Sequence, residues 1–295
     1  GSFLEGSAVA PVSARTGEGL AEIRSALLEM ADQALTRSPR GAIRLPIDRA
    51  FSVKGFGTVV TGTLVSGRVS VDAALTVLPS GCDVKVRGLQ VHGAAQPVAE
   101  AGQGVDANLS GVDVSQIARG DTVVTPGCFE ATRRVDAVLD LLRSAHRLRH
   151  GARVRFHQGT SEVLGRVVLG PGLEETGGAG DAPGELPPGG RGFVRLRLER
   201  PAVLTRGDRF ILRAYSPSLT IAGGQVLDPQ PPRGGIRTAA ARRRLERLLD
   251  GVVGEGTAAR DLAFGVLVRE RGVAGLPLAA LVTRAGVSPE SVDDV

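Results

Sequence analysis

Eight basic side chains crowd into residues 143–157: Arg143, Arg147, Arg149, Arg153 and Arg155, with His146, His150 and His157. Cations at that density suit phosphate oxygens, which give a polyanion affinity and salt dependence without reading its sequence. Side chains on a strand alternate, so only half of residues 153–157 can share a face, and solvated edge charges fit them equally well. A second basic run, Arg242, Arg243, Arg244 and Arg247, lies beside Leu245, Leu248 and Leu249 and reads as a solubilised helix face more than as an RNA contact. A phosphate-cradling GxxxxGK[ST] loop is absent, because neither lysine of the chain, Lys54 or Lys85, follows a glycine. These residues alone are therefore not expected to hydrolyse a nucleoside triphosphate. Cys82 and Cys128 stand far apart with no CxxC or Cys/His spacing. Neither a zinc site nor a disulfide framework is indicated, and no catalytic residue or metal ligand is assigned.

The elements that must carry such residues are mostly short strands. Residues 45–67, LPIDRAFSVKGFGTVVTGTLVSG, alternate in strand fashion around Gly55, Gly57 and Gly62. Glycine inside a strand marks a bulge, a bend or a close backbone approach, and short punctuated strands suit small closed barrels. Alternation continues through Val84–His92, Val105–Leu109 and Asp121–Val124. It resumes at Val135–Leu142, Ala152–His157, Glu162–Leu169, Gly192–Leu198 and Arg209–Ala214, where Phe210, Ile211 and Leu212 read as core. Residues 170–190 are rich in Gly, Pro and acidic residues and read as a surface loop.

Ahead of these strands, Ala8–Val12 reads as a short buried strand. A helix over Leu20–Gln33 follows, with Ile23, Leu27, Leu28 and Met30 on its apolar side. After Pro229–Pro232 helix formers take over at Ala239–Leu249. Residues 277–284 predict one more helix, and Ser288 with Pro289 the start of its partner.

At 295 residues two or three domains are expected. The balance of 36 basic and 31 acidic side chains leaves a net charge of only +5. All but two of the basic residues are arginine, a bias that codon usage explains as readily as nucleic-acid binding. No run of 18 apolar residues and no signal-like N-terminus is present, and reduced thiols suit the cytoplasm.

The run Asp48-Arg49-Ala50-Phe51, Val53-Lys54-Gly55 and Thr58-Val59-Val60-Thr61-Gly62-Thr63 resembles the second domain of a translational GTPase, and more narrowly the selenocysteine-specific elongation factors. The similarity extends to Arg87–His92, Arg119-Gly120-Asp121, Arg206–Arg213, Tyr215-Ser216-Pro217 and Thr220–Gly224. It implies a mainly β fold of two consecutive small antiparallel β-barrels, elongation factor domains II and III. The last strand and helix of an α/β GTPase domain would precede them, and an incomplete α-helical winged-helix domain would follow. The implied divisions are 1–38, 39–128, 129–232 and 233–295.

By the same resemblance, Ser13, Ala14 and Arg15 match the last guanine-recognition motif of such GTPases. GTP and Mg²⁺ are expected only in a longer parent, with none bound by this fragment alone. Asp48, Arg49, Lys54, His92 and Gly104 fall at the aminoacyl-tRNA pocket, with Arg49 placed to attract an anionic selenolate. Gly104 stands where the family has an arginine, and Asp106 adds an acid nearby. His92 would compensate if protonated, although a lone histidine is more often a packed structural residue. Arg143, Arg147, Arg149, Arg153 and Arg155 would meet the tRNA backbone. The implied partners are selenocysteinyl-tRNA, the ribosome and an mRNA hairpin held by further winged helices. A cytoplasmic monomer with no membrane contact is expected. The rivals are a general elongation factor Tu-like carrier, a winged-helix DNA-binding regulator and a catalytically silent binding module.

Overall fold

The computed structural model describes residues 8–33, 41–172, 184–253 and 257–285. The chain divides into two compact units, Gly1–Arg37 and Ser38–Val295.

In the first unit, α1 (Leu20–Gln33) forms where it is expected. It follows a turn closed by Ser13 N–H donating to Glu18 O (3.0 Å) and Gly17 N–H to Ser13 O (2.9 Å). Gly19 is required at the helix entrance. Its φ is +75°, and a Cβ there would lie 2.2 Å from Pro11 O. The expected buried strand at Ala8–Val12 is not formed: the segment is irregular, with Val9 and Val12 exposed. Leu27, Leu28 and Met30 are exposed as well. The described residues of this unit hold no strand that could pair with the segment.

In the second unit nine strands build the first barrel: β1 (Arg44–Val53), β2 (Gly57–Thr63), β3 (Arg68–Ser70), β4 (Ala74–Leu78), β5 (Cys82–Val91), β6 (Ala94–Gln96), β7 (Val98–Glu100), β8 (Gly104–Ser110) and β9 (Thr122–Val124). The order β4-β9-β1-β2-β8-β5 closes through the β4–β5 pairing, β6 extends β5, and β3 pairs with β7. Inward alternation places Leu45, Ile47, Val60, Val77, Val86, Leu89 and Ala107 in one core. Each Val, Leu or Ile among them contributes about 1.5–3 kcal/mol by leaving water. Gly62 permits the closure, since a Cβ there would meet Pro46 O at 2.1 Å.

The second barrel comprises β10 (Ala131–Leu141), β11 (Leu148–Arg149), β12 (Arg153–Gln158), β13 (Ser161–Gly172), β14 (Glu185–Leu186), β15 (Arg191–Val203), β16 (Arg209–Ala214) and β17 (Thr220–Asp228). Six of these strands close in the order β10-β15-β13-β12-β16-β17, and β11 pairs with β14 outside the barrel. The region expected to be a loop over 170–190 thus begins as the end of β13, holds the short β14 and closes with a turn at 187–190, while residues 173–183 lie outside the described ones. Phe210 and Leu212 are core, but Ile211 points outward and is half exposed, as alternation demands.

Three helices follow: α2 (Ala239–Val253), α3 (Thr257–Arg271), which the sequence reading did not anticipate, and α4 (Leu278–Ala285). The first two cover one outer face of the second barrel, where Val138, Phe193 and Leu227 pack with Ile236, Leu245, Leu248, Ala263 and Leu267, while Val282 of α4 packs with Ala42, Val124, Phe129 and Val203. This explains why β10 is buried without interruption over 135–139: one face meets the barrel core and the other meets helix. The helix expected from residue 288 lies outside the described residues.

Ion pairs fasten these parts. Arg44 reaches from the first barrel to grip Asp208 of the second with two bonds, of 2.9 and 2.7 Å, and is almost fully buried. Asp228, wholly buried at the end of β17, binds Arg284 of α4 with bonds of 3.0 and 2.7 Å and also Arg244 of α2, and both arginines contact Glu270 of α3. Burial raises the Asp228 carboxyl, but the hydrogen bond and charge of Arg284 and the charge of Arg244 outweigh it and hold the group below its ordinary value. Asp136 pairs with Arg195 at 2.6 and 2.9 Å, yet there burial dominates and lifts the carboxyl. Burial lowers Arg206 to about 10, still charged at neutral pH, where it donates to the carbonyls of Leu227 and Leu248. Arg244 is therefore neither an RNA contact nor a solubilising charge, and Arg242 pairs with Glu246 on its own helix.

Candidate functional site

Asp48 sits on a β-bulge. Ile47 pairs with Gly62 and Arg49 with Thr61, so one extra residue is inserted in β1. The turn before β9 secures the bulge: Ile47 N–H donates to Asp121 O (2.8 Å), and Gly120 N–H to Ile47 O (3.0 Å). Beyond the bulge Arg49 lies on the outer face of the barrel. Strand pairing sets Arg49, Thr61, Asp106 and Gln90 side by side across β1, β2, β8 and β5. The next row holds Phe51, Val59, Asn108 and Gly88, and the Asn108 carboxamide oxygen is buried without a partner. Such an acceptor on a polar face is a candidate ligand contact.

The predicted residues do not all converge. Gly104 opens β8 opposite Thr63, on the other side of the Arg49 row. His92 lies in the turn between β5 and β6, one residue beyond the Val91–Val105 pair, and so emerges at the Gly104 end. It is exposed, with φ +53°, and is not the packed histidine that sequence statistics favour. Lys54 occupies the β1–β2 hairpin turn, at the opposite end of the β2–β8 ladder from Gly104. The open space around a Cβ at Gly104 shows that packing does not demand glycine there.

Charge pairing also differs from the sequence picture. Asp48 approaches Arg49 only to 3.7 Å but meets Arg119 at 3.0 Å, which leaves Arg49, 79% exposed, the less neutralised cation. Arg119 was legible only as part of a family motif, since it lies 71 positions from its partner. It also lines a groove of about 610 Å³ between the barrels, with Arg155, His157, Thr160, Glu199 and Arg200.

The basic cluster at 143–157 is split by the fold. Arg153, Arg155 and His157 share the outer face of β12, with Arg153 and Arg155 lying 4.6 and 5.6 Å from the Tyr215 ring. Arg143, Arg147 and Arg149 belong to the exposed segment before it and to β11. Carboxylates already hold several members: Glu199 binds Arg153, Glu162 binds Arg155 and Glu185 binds Arg149. Burial lowers the His157 imidazole, which leaves it neutral at pH 7. In the first unit Ser13 Oγ accepts from Thr16 N–H (3.2 Å), while among the described residues the Ala14 N–H has no partner.

Comparison with known proteins follows the same division. The domain model described as "Elongation factor Tu domain 2" matches residues 57–124. The one described as "Selenocysteine-specific elongation factor, beta-barrel domain" matches residues 135–233. The selenocysteine-specific elongation factor of Desulfomicrobium baculatum is 38% identical over 230 residues, covering 78% of this chain and 34% of its own length. That of Escherichia coli K12 is 32% identical over 226 residues, covering 76% and 33%. A bacterial selenocysteine-specific elongation factor EF-Sec shares the fold, with a TM-score of 0.73 at 24% identity over 97% of this chain and 44% of that one. Translation elongation factor SelB from Methanococcus maripaludis, in complex with the GTP analogue GppNHp, gives a TM-score of 0.63 at 25% identity over 78% of this chain and 53% of its own. The chain spans about a third of the length of these curated relatives. With both barrels matched in order and relatives of one kind aligned across them, the chain belongs to the selenocysteine-specific elongation factor family.

Proposed function

We propose that this chain supplies the tRNA-holding part of a selenocysteine-specific elongation factor, which delivers selenocysteinyl-tRNA to the ribosome at recoded UGA codons in a GTP-dependent manner. The observation that carries the proposal is the 38% identity to such a factor over 230 residues, a span long enough to include both barrels. The outer face bearing Arg49, Asp106 and the unpartnered Asn108 oxygen would take the aminoacylated 3′ end. Arg49, exposed and only weakly held by Asp48, would attract the selenolate; Asp48, fastened to Arg119, would position Arg49 rather than bind the amino group itself. The Ala14 N–H, without a partner among the described residues, would donate to a guanine oxygen, while the triphosphate and Mg²⁺ would need residues outside this sequence, which lacks the phosphate loop. The divisions 1–38, 39–128, 129–232 and 233–295, a winged-helix identity for the helices, and a cytoplasmic location belong to the same proposal. No helix among the described residues is long and apolar enough to cross a membrane.

The test joins this chain to the nucleotide-binding region of a SelB relative and measures aminoacyl-tRNA binding with GppNHp and with GDP. Tighter binding in the GppNHp form is expected. Equal binding in both forms would contradict the proposal.

A further inference from the structure

The second barrel carries a row of arginines that no close sequence spacing announces. Arg153 of β12 pairs with Arg166 of β13, Arg166 with Arg197 of β15, and Arg197 with Arg134 of β10. Directly paired residues share a face, so four guanidinium side chains stand abreast on the outside of four adjacent strands. At about 4.8 Å per strand the row spans about 14 Å. Like charges opposed across strands destabilise a sheet. Glu199 binds Arg153 and also attracts Arg166, but Arg134 and Arg197 face each other without a carboxylate among the described residues.

That end of the row opens into a groove of about 850 Å³, to which Arg133, Arg233 and Arg271 add three more cations from the strand, the linker and the end of α3. Its carboxylate, Glu130, is taken by the Gln230 amide at 2.6 Å. A helix C-terminus accounts for Arg271. Among the described residues nothing accounts for Arg134 opposite Arg197, whereas Arg149, Arg155 and Arg191 of this barrel have carboxylates beside them. The groove also lacks the aromatic anchors of a protein interface, its apolar lining being Ala131, Leu198 and Pro231.

We infer that this groove, with Arg134 and Arg197 at its centre, binds the phosphodiester backbone of RNA, separately from the surface around Arg155 and Tyr215. The inference rests on the reading of the chain as a tRNA carrier. Guanidinium forks match phosphate oxygens two at a time, and a polyanion laid along the row would relieve its internal repulsion.

The experiment measures binding of an unmodified tRNA transcript to the full chain across a salt series. It compares the parent with R134Q/R197Q, with R233Q/R271Q and with R155Q. The two groove pairs should weaken binding and lower the slope of log affinity against log salt by about 1 per lost contact. R134Q/R197Q should melt no lower than the parent, because it removes an opposed like-charged pair. Should it fold poorly, R233Q/R271Q, outside the barrel strands, carries the test. Unchanged affinity and slope in the folded groove variants, while R155Q binds less well, would overturn the groove and leave the carrier reading intact. No binding of the transcript by the parent chain would also overturn the groove, whereas the carrier reading is tested separately with the nucleotide-binding region attached. Equal binding of a DNA duplex, lost in the same variants, would overturn the assignment to RNA.

Discussion

Arg49 is the side chain on which amino-acid selectivity should turn. It stands on the outer face of β1, exposed, with its nearest carboxylate 3.7 Å away and already engaged by Arg119. An exposed cation of this kind contributes up to about 1 kcal/mol to an ion pair, a factor of about five. R49A should therefore reduce the preference for selenocysteinyl- over seryl-tRNA about fivefold and leave seryl-tRNA binding unchanged. A parallel loss for both substrates would make Arg49 a general contact. Gly104 offers the converse test. The space around a Cβ there is open, so G104R should fold normally and raise the preference by a similar factor. The candidate residues were legible as a motif, but their separation was not. Lys54 and His92 end up at opposite ends of one ladder because hairpin register, not sequence distance, decides which side chains meet.

Among the elements, β17 bears the most consequential side chain outside the cores. Asp228 ends that strand fully buried and is the common acceptor for Arg244 of α2 and Arg284 of α4. Removing one partner of a buried ionic network leaves uncompensated charge and costs about 3–5 kcal/mol. D228N should destabilise the chain by that amount in chemical denaturation, with the helices detaching first; a loss below 1 kcal/mol would show that apolar contacts alone hold them. The pH dependence follows from the same group. Its folded pKa lies below the unfolded value of about 3.9, so its stabilisation is complete above that pH and fades as pH falls through the folded value. Asp136, raised by burial, acts oppositely and favours the native state as pH falls through its own folded value. Helix docking followed by circular dichroism should therefore hold from pH 7 to about 5 and fail only below about 4. Strand alternation and the helices at 20–33, 239–253 and 278–285 could be read from period alone. The buried role of Arg244 could not, because its partners lie 16 and 26 residues away on other elements.

At the scale of the molecule, two closed barrels joined by the buried Arg44–Asp208 pair form a platform with one polar face on the first barrel and arginine-rich surfaces on the second. The order of barrels was legible because its motifs are local. The arginine row of β12, β13, β15 and β10 was not, since closure of the barrel assembles it from residues 134, 153, 166 and 197. On the proposed reading this platform carries a selenium-bearing aminoacyl-tRNA. The most direct measurement compares selenocysteinyl-tRNA with seryl-tRNA on one tRNA body, binding the chain joined to a GppNHp-loaded nucleotide-binding region. Tighter binding of the selenium form is predicted; equal affinity would contradict the claim and leave an unselective carrier of tRNA.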